Sequence, residues 1–394
     1  MIKKISFLSL QRIAICFYFF LIFFEPYLNG VLGSVTKYYI FILILLLILG
    51  KNNSCLSLKK YQIAYIVWLF YKIISLFWTT NTYIANMHML SQVGMVFLLV
   101  ALTIADIDLK TINWIIKTLW FSSFLIGVLS VFFSHPYHGI VETRQVLLLF
   151  GQEADPNNQA AFLTIGIAIS LYMLIINKSK KILSIVIFSV NIYSMFSTGS
   201  RGGLVTCITI MLCFILFSEK NFFSKSTLYK LIAILIVLGV LFYIINNYLP
   251  TDIYNRLFDF ESYEGGSERD IIWKNTLNLV FSGINIFFGA GWGAYYGYNG
   301  YYLSVHNTYL SMLCDVGILG VSIFFIPVIN KIIFFKRKKF TLPIILLACG
   351  LCPSFFIEAI NKRFFWSMIM LLFIFYNYLK NNDSKTKEVK RCLK

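Results

Sequence analysis

Apolar runs of eighteen or more residues recur along this chain, and no other feature constrains its fold so tightly. Each run is long enough to cross a hydrocarbon core of roughly 30 Å as a helix. Of the 394 residues, 59% are hydrophobic and only 13% charged, and a soluble domain needs about twice that charge to cover its surface. The first run follows Lys3, Lys4 and Arg12 and looks like a signal peptide. It is long, lacks a small-residue cleavage site and is followed by many more runs, so it reads as an uncleaved first helix.

The pattern predicts spans at 13–31, 36–50, 61–79, 88–105, 112–133, 159–176, 182–198, 203–218, 229–249, 309–329, 341–357 and 364–379. The expected fold is all-α: a polytopic membrane protein of about twelve transmembrane helices. Residues 1–379 form a single transmembrane domain, with an outer loop at 250–308 between spans nine and ten, and 380–394 form a basic cytoplasmic tail. Cytoplasmic loops keep an excess of Lys and Arg. With the N-terminus inside, the inner segments hold a roughly three-to-one share of those residues, alternating loop by loop. That predicts N-in, C-in, with most of the formal charge of +17 acting as a topology signal. No nucleic-acid partner is implied, and the basic loops need meet nothing beyond anionic headgroups. Only Lys72 and Glu25 are noted as ionisable residues within spans. The eight cysteines are scattered; Cys349 and Cys352 have redox-motif spacing but sit in an expected span, where small apolar filler is the better reading.

Three polar stretches map to the outer face. The first runs from Arg144-Gln145 to Gly151-Gln152-Glu153-Ala154-Asp155-Pro156-Asn157-Asn158, a turn-rich segment entering a helix with Asp155 or Asn157 as N-cap. The second is Ser197-Thr198-Gly199-Ser200-Arg201-Gly202-Gly203. Its glycines allow a tight turn with exposed amides, and the following helix aims its positive dipole end at the outer face. Arg201 adds a planar donor fork suited to phosphate, the alternative being a snorkelling arginine. The third is the long loop, which is too long for a plain connector. It carries Arg256, then Ser267-Glu268-Arg269-Asp270-Ile271-Ile272-Trp273-Lys274 as a helix start, then Phe288-Gly289-Ala290-Gly291-Trp292-Gly293 as a glycine-rich turn. His306-Asn307-Thr308 leads into span ten. Trp292 and the tyrosines after it suit stacking on sugar rings, and an interfacial aromatic belt explains them equally well. His306 has the side chain suited to proton transfer near neutrality. A metal site built from His135 and His138 with Asp155 or His306 is a weaker reading.

Ser-Thr-Gly-Ser-Arg-Gly-Gly opening a helix, the outer loop with Glu-Arg-Asp-Ile-Ile-Trp-Lys, Gly-Ala-Gly-Trp-Gly, and His-Asn-Thr-Tyr-Leu before Leu-Cys-Asp-Val-Gly-Ile-Leu-Gly resemble, in that order, the O-antigen ligase/polymerase superfamily. The Asp-Pro-Asn-Asn segment at 155–158 is similar too. The motifs span about 140 to 320; the first five spans match only in kind. The resemblance implies an inverting, metal-independent glycan transfer from an undecaprenyl-pyrophosphate carrier, on the outer face of the bacterial cytoplasmic membrane, with no cofactor. It makes Arg201 and Arg269 pyrophosphate ligands and His306 the base. Arg144, Arg256, Asp155, Asn157 and Trp292 are added from the residues alone as substrate-binding candidates.

A polymerase and a ligase share these motifs. The Lys-, Ile- and Asn-rich composition points to an AT-rich genome such as that of a Gram-positive bacterium, where no lipid A-core exists, which favours a polymerase of O-antigen or capsular repeat units. The expected partners are the lipid-linked oligosaccharide, membrane lipid and a chain-length regulator protein. A flippase would place ionisable groups deep within helices and often show repeats. Here the polar load gathers on one face.

Overall fold

The computed structural model describes residues 7–33, 35–50, 57–105, 107–137, 144–177, 180–218, 251–258 and 269–380, with positions 239, 243 and 247. The helices are α1 (Phe7–Leu32), α2 (Val35–Leu49), α3 (Lys60–Ile74), α4 (Tyr83–Ile104), α5 (Leu109–Phe132), α6 (Pro156–Leu171), α7 (Lys181–Ser197), α8 (Arg201–Ser218), α9 (Thr251–Phe258), α10 (Arg269–Val280), α11 (Asn285–Phe288), α12 (Thr308–Lys338), α13 (Leu342–Leu351) and α14 (Arg363–Lys380). Each expected span but the ninth coincides with one of these; 229–249 lies outside the described residues apart from its isolated positions. Among the described residues, five helices are long and apolar enough to cross a membrane: α1, α4, α5, α6 with its continuation to Ile175, and α12. Helices α2, α7, α8 and α13 are shorter apolar segments.

The helices turn apolar side chains outward as well as inward. Leu45 and Leu49 on α2, Phe70 on α3, Phe121 on α5 and Ile182 on α7 are all exposed. A helix that is apolar all round belongs in lipid or in the middle of a bundle, and α6 is the second case, buried along almost its whole length. It comes close to its neighbours through small residues. Gly166 lies against Ser123 of α5 and Asn191 of α7. Asn191 donates to Ser123 Oγ at 3.1 Å, and Ser123 donates to the Phe162 carbonyl at 3.1 Å. On the other side of the bundle, α3, α12 and α14 share an aromatic cluster of Tyr65, Trp68, Phe324, Trp366 and Phe373.

Two expectations are corrected. The segment after α5 is not only turns: Ser134–Pro136 (β1), Gln145–Leu149 (β2) and Gln152–Glu153 (β3) form a small antiparallel sheet in the order β1-β2-β3, pairing His135 with Val146 and Leu148 with Glu153. Lys72 and Glu25 are also not the only ionisable residues at depth. Asp315 sits inside α12, 2% exposed, with an oxygen 2.9 Å from Lys72 Nζ. The ammonium also lies over the Trp292 ring, 4.6 Å from its centroid. Glu25 in turn pairs with Arg363 at the start of α14.

The Lys72–Asp315 pair seats the glycine-rich turn. The second Asp315 oxygen accepts from the Gly293 amide at 2.9 Å, and Ser75 Oγ accepts from the Trp292 amide at 3.0 Å. Helix α12 breaks its regular path at Gly317 (φ 59°), opposite Gly289 (φ 82°). A Cβ on Gly289 would stand 2.4 Å from the Asp315 carbonyl oxygen, and one on Gly317 2.4 Å from that of Phe287. Only glycine permits both the backbone angles and the approach.

Removing one partner of a buried ion pair strands the other charge, at a cost of about 3–5 kcal/mol. Asp315→Ala should therefore lower the Tm of the detergent-solubilised protein, and the double variant Lys72→Met/Asp315→Leu should recover much of that loss. Equal Tm values for the single and double variants would refute the pairing as the cause.

Candidate functional site: a polar end built on helix N-termini

Helices α4, α6, α8, α12 and α14 all begin at one end of the bundle. There the amides of a first turn lack intrahelical partners, and the dipoles are positive. The sequence caps several of them locally. Asp155 accepts from the amides of Asn157 and Asn158 at 2.9 and 3.1 Å, with Pro156 as the first residue of α6. Ser200 Oγ accepts from the Gly203 amide at 3.1 Å, so α8 begins at Arg201, two residues before the expected span. Asn307 accepts from the amides of Tyr309 and Leu310 and opens α12.

Around the 198–201 turn the structure gathers three of the expected arginines. Arg144 is buried rather than a surface charge; its Nε donates to the Thr198 carbonyl at 2.8 Å and its Nη2 to Asn157 Oδ1 at 3.1 Å. Arg201 Nε donates to the Arg256 carbonyl at 2.9 Å, and Arg256 Nε donates back to the Gly199 carbonyl at 3.2 Å. Asn157 also accepts from Ser200 Oγ at 2.9 Å, so α6 and the α7–α8 turn are tied to one carboxamide. Burial, and then the neighbouring Arg256, bring the Arg144 guanidinium down to about 10, with Arg269 adding in the same direction and Asp155 opposing it. Arg256 and Arg269 thus lie near enough to Arg144 for their charges to act on it.

His306 stands at the edge of this cluster with φ 51°, a left-handed conformation uncommon for a residue with a side chain and one that clusters at functional sites. Burial and Arg269 lower its pKa below the ordinary histidine value, and Asp155 works against them. It lines a cavity of about 270 Å³ with Asp155, Asn158, Tyr295, Glu358, Asn361 and Lys362. His88 and Ile84 of α4 complete one wall. Tyr295 donates to Glu358 Oε1 at 2.6 Å, and Ser311 donates to the same oxygen at 3.1 Å. Burial raises the Glu358 carboxyl, with Asp315 adding to the effect.

Of the expected site residues, Arg144, Arg201, Arg256 and Asn157 join in one bonded network, and Arg269, His306 and Asp155 are electrostatic neighbours beside it. Trp292 is not brought there. It is 1% exposed beneath Lys72, so its ring holds the turn and is not open to a sugar. His135 meets Glu153 at 3.3 Å, and His138 lies outside the described residues. Among the described residues no three His, Cys, Asp or Glu side chains group as a metal site. Cys349 and Cys352 are free thiols. Sequence reasoning missed Glu358, Asn361 and Lys362, whose only signal was a polar turn wedged between two apolar spans.

The site is thus an arginine-rich, helix-dipole end of a membrane-spanning bundle. Residues 185–325 match the family model described as O-antigen ligase. The matched segment includes Arg201, Arg256, Arg269, Trp292 and His306. Arg144, Asp155 and Glu358 lie outside the matched residues. No curated protein and no solved structure matches the chain.

Arg144 uses both arms of its fork, which an ammonium cannot do. Arg144→Lys should lower the Tm by the equivalent of about 1–3 kcal/mol, the scale of a buried polar group left without its bond. An unchanged Tm would show that the two bonds are dispensable.

Proposed function

We propose that this protein polymerises undecaprenyl-pyrophosphate-linked oligosaccharide repeat units of an O-antigen or capsular polysaccharide. In this reading the chain lies in the bacterial cytoplasmic membrane as about twelve spans with both ends inside, and the arginine-rich end faces outward. The observation that carries it is the convergence of Arg144, Arg201, Arg256 and Arg269 on helix N-termini beside a histidine, within or next to a segment matching the O-antigen ligase family. Transport finds no support in that match.

The chemistry follows from those groups. The arginines hold the pyrophosphate, whose charge grows as its bond to the anomeric carbon breaks; fixed donors aimed at developing charge are the strongest catalytic device available. An acceptor hydroxyl attacks the anomeric carbon from the face opposite the pyrophosphate, so the configuration inverts. His306 Nδ1 or Nε2 takes the hydroxyl proton and later returns it to water. Its lowered pKa keeps the imidazole neutral and able to accept. The leaving undecaprenyl pyrophosphate carries away the electron pair, and no metal or cofactor takes part. When the acceptor is a repeat unit on the same carrier, the product is a longer lipid-linked chain and the enzyme is a polymerase, working with a chain-length regulator. A lipid A-core acceptor would make it a ligase by the same steps.

Arg201→Ala, Arg269→Ala and His306→Ala should each abolish long-chain glycan while protein level and topology persist, read from glycan ladders and blots of membranes. Arg201→Lys should rescue poorly. Normal ladders in all three alanine variants would end the assignment.

The pH profile provides a separate check. Asp155 raises the His306 pKa, so Asp155→Asn should lower it and move the acid limb of the rate profile to lower pH. A limb that stays in place, or moves to higher pH, would remove His306 as the base.

A further inference from the structure

We propose that the cavity beside the arginines is a second substrate site, taking a sugar ring of the acceptor, with Glu358 as the carboxylate that orients it. This rests on the glycosyl-transfer reading above. The arginines of the 198–201 network do not line the cavity. Its charged lining is two carboxylates, Asp155 and Glu358, against the single ammonium of Lys362, with two carboxamides, Asn158 and Asn361. Paired carboxylates repel a pyrophosphate, whereas a polyol brings hydroxyl donors to them and accepts from the ammonium and the amides.

Three details show the lining arranged for such a ligand. Glu358 is clamped through Oε1 by Tyr295 and Ser311, which fixes the carboxylate while its other oxygen keeps acceptor capacity. Asn361 accepts from Gln92 Nε2 at 2.6 Å through its carbonyl oxygen, so its orientation is set and its amide nitrogen is left to donate. Asn158 Oδ1 is buried and has no hydrogen-bond partner among the described residues. An orphaned buried acceptor in a polar cavity points to a donor that arrives with a ligand. Ile84 and Ile357 supply an apolar patch for the C–H face of a ring.

The cavity also meets the chemistry at the right place. His306 lines it, so a hydroxyl held there is presented to the base. The Asp155–Asn158 turn touches both sites: Asn157 binds Arg144, while Asp155 and Asn158 line the cavity. Pyrophosphate and acceptor sugar would sit on the two sides of one turn.

The test uses the full-length protein in detergent and two probes. One is the free repeat-unit oligosaccharide, released by mild acid from the lipid-linked material of the same cells; the other is undecaprenyl pyrophosphate. Glu358→Gln keeps the shape and an acceptor for the Tyr295–Ser311 clamp, and Asn158→Ala removes the orphaned oxygen while the helix cap by Asp155 remains. Each should weaken oligosaccharide binding by about tenfold, the scale of one hydrogen bond to a charged or buried group. Affinity for undecaprenyl pyrophosphate should move by less than about twofold. Wild-type oligosaccharide affinity in both variants overturns the proposal, as does equal loss of both probes. Transfer by the unmodified protein is scored apart. If it binds the oligosaccharide through Glu358 but makes no polymer, the functional reading fails and the sugar site stands. If polymer forms and neither variant alters oligosaccharide binding, the sugar site fails and the function stands.

Discussion

The buried contact between Lys72 and Asp315 holds together what the helices alone would leave apart. Two charges removed from water are stable only with close geometry and further bonds to the remaining lone pairs. Here the Gly293 amide takes the second carboxylate oxygen and the Trp292 ring covers the ammonium. That arrangement fixes the glycine-rich turn against α3 and α12. The turn in turn delivers Tyr295 to Glu358, one wall of the cavity. A buried charge pair near the ends of two apolar helices thus acts as a register device, since moving the turn would leave a buried group without its partner.

The opposite problem is solved at the arginine end. Burial first, and the neighbouring Arg256 guanidinium second, lower the Arg144 pKa. Among the described residues, the backbone carbonyls of Thr198, Gly199 and Arg256 each accept from a guanidinium of this cluster. A carbonyl orients the fork without itself neutralising it. The helix N-termini add to the field at no further desolvation cost.

Much of this was legible in the sequence because membrane depth leaves so few options. Apolar runs located the described helices within a few residues, and Asp155 stood where a cap belongs. The glycines of 289–293 and the arginine in a turn also declared themselves, since each residue type is costly there without a reason. What stayed hidden depends on tertiary pairing. Asp315 read as part of the Leu-Cys-Asp-Val-Gly motif, with nothing local to say that Lys72, far off in the chain, waits for it. Trp292 looked like a sugar platform because an aromatic residue in a polar loop has the same signature whether it faces solvent or covers a lysine. Glu358 was overlooked in a turn too short to suggest a site. The three-stranded sheet escaped because two- to five-residue strands carry no usable period.

The Asp155–Asn158 turn concentrates these lines in four residues. Its first carboxylate caps α6, faces the cavity and raises the His306 pKa. Asn157 joins Arg144 to Ser200 and so fixes the arginine turn relative to α6. Asn158 offers an unsatisfied oxygen to the cavity. Proline at 156 holds the backbone angle that lets three side chains leave one turn in three directions. A transfer reaction needs its leaving group, base and nucleophile held at fixed mutual distances, and small errors in placement are costly in rate. Placing these contacts on the first turn of α6, a helix buried along almost its whole length, would tie such distances to the packed interior of the bundle. His306, on the segment leading into α12, lines the same cavity in a left-handed backbone conformation.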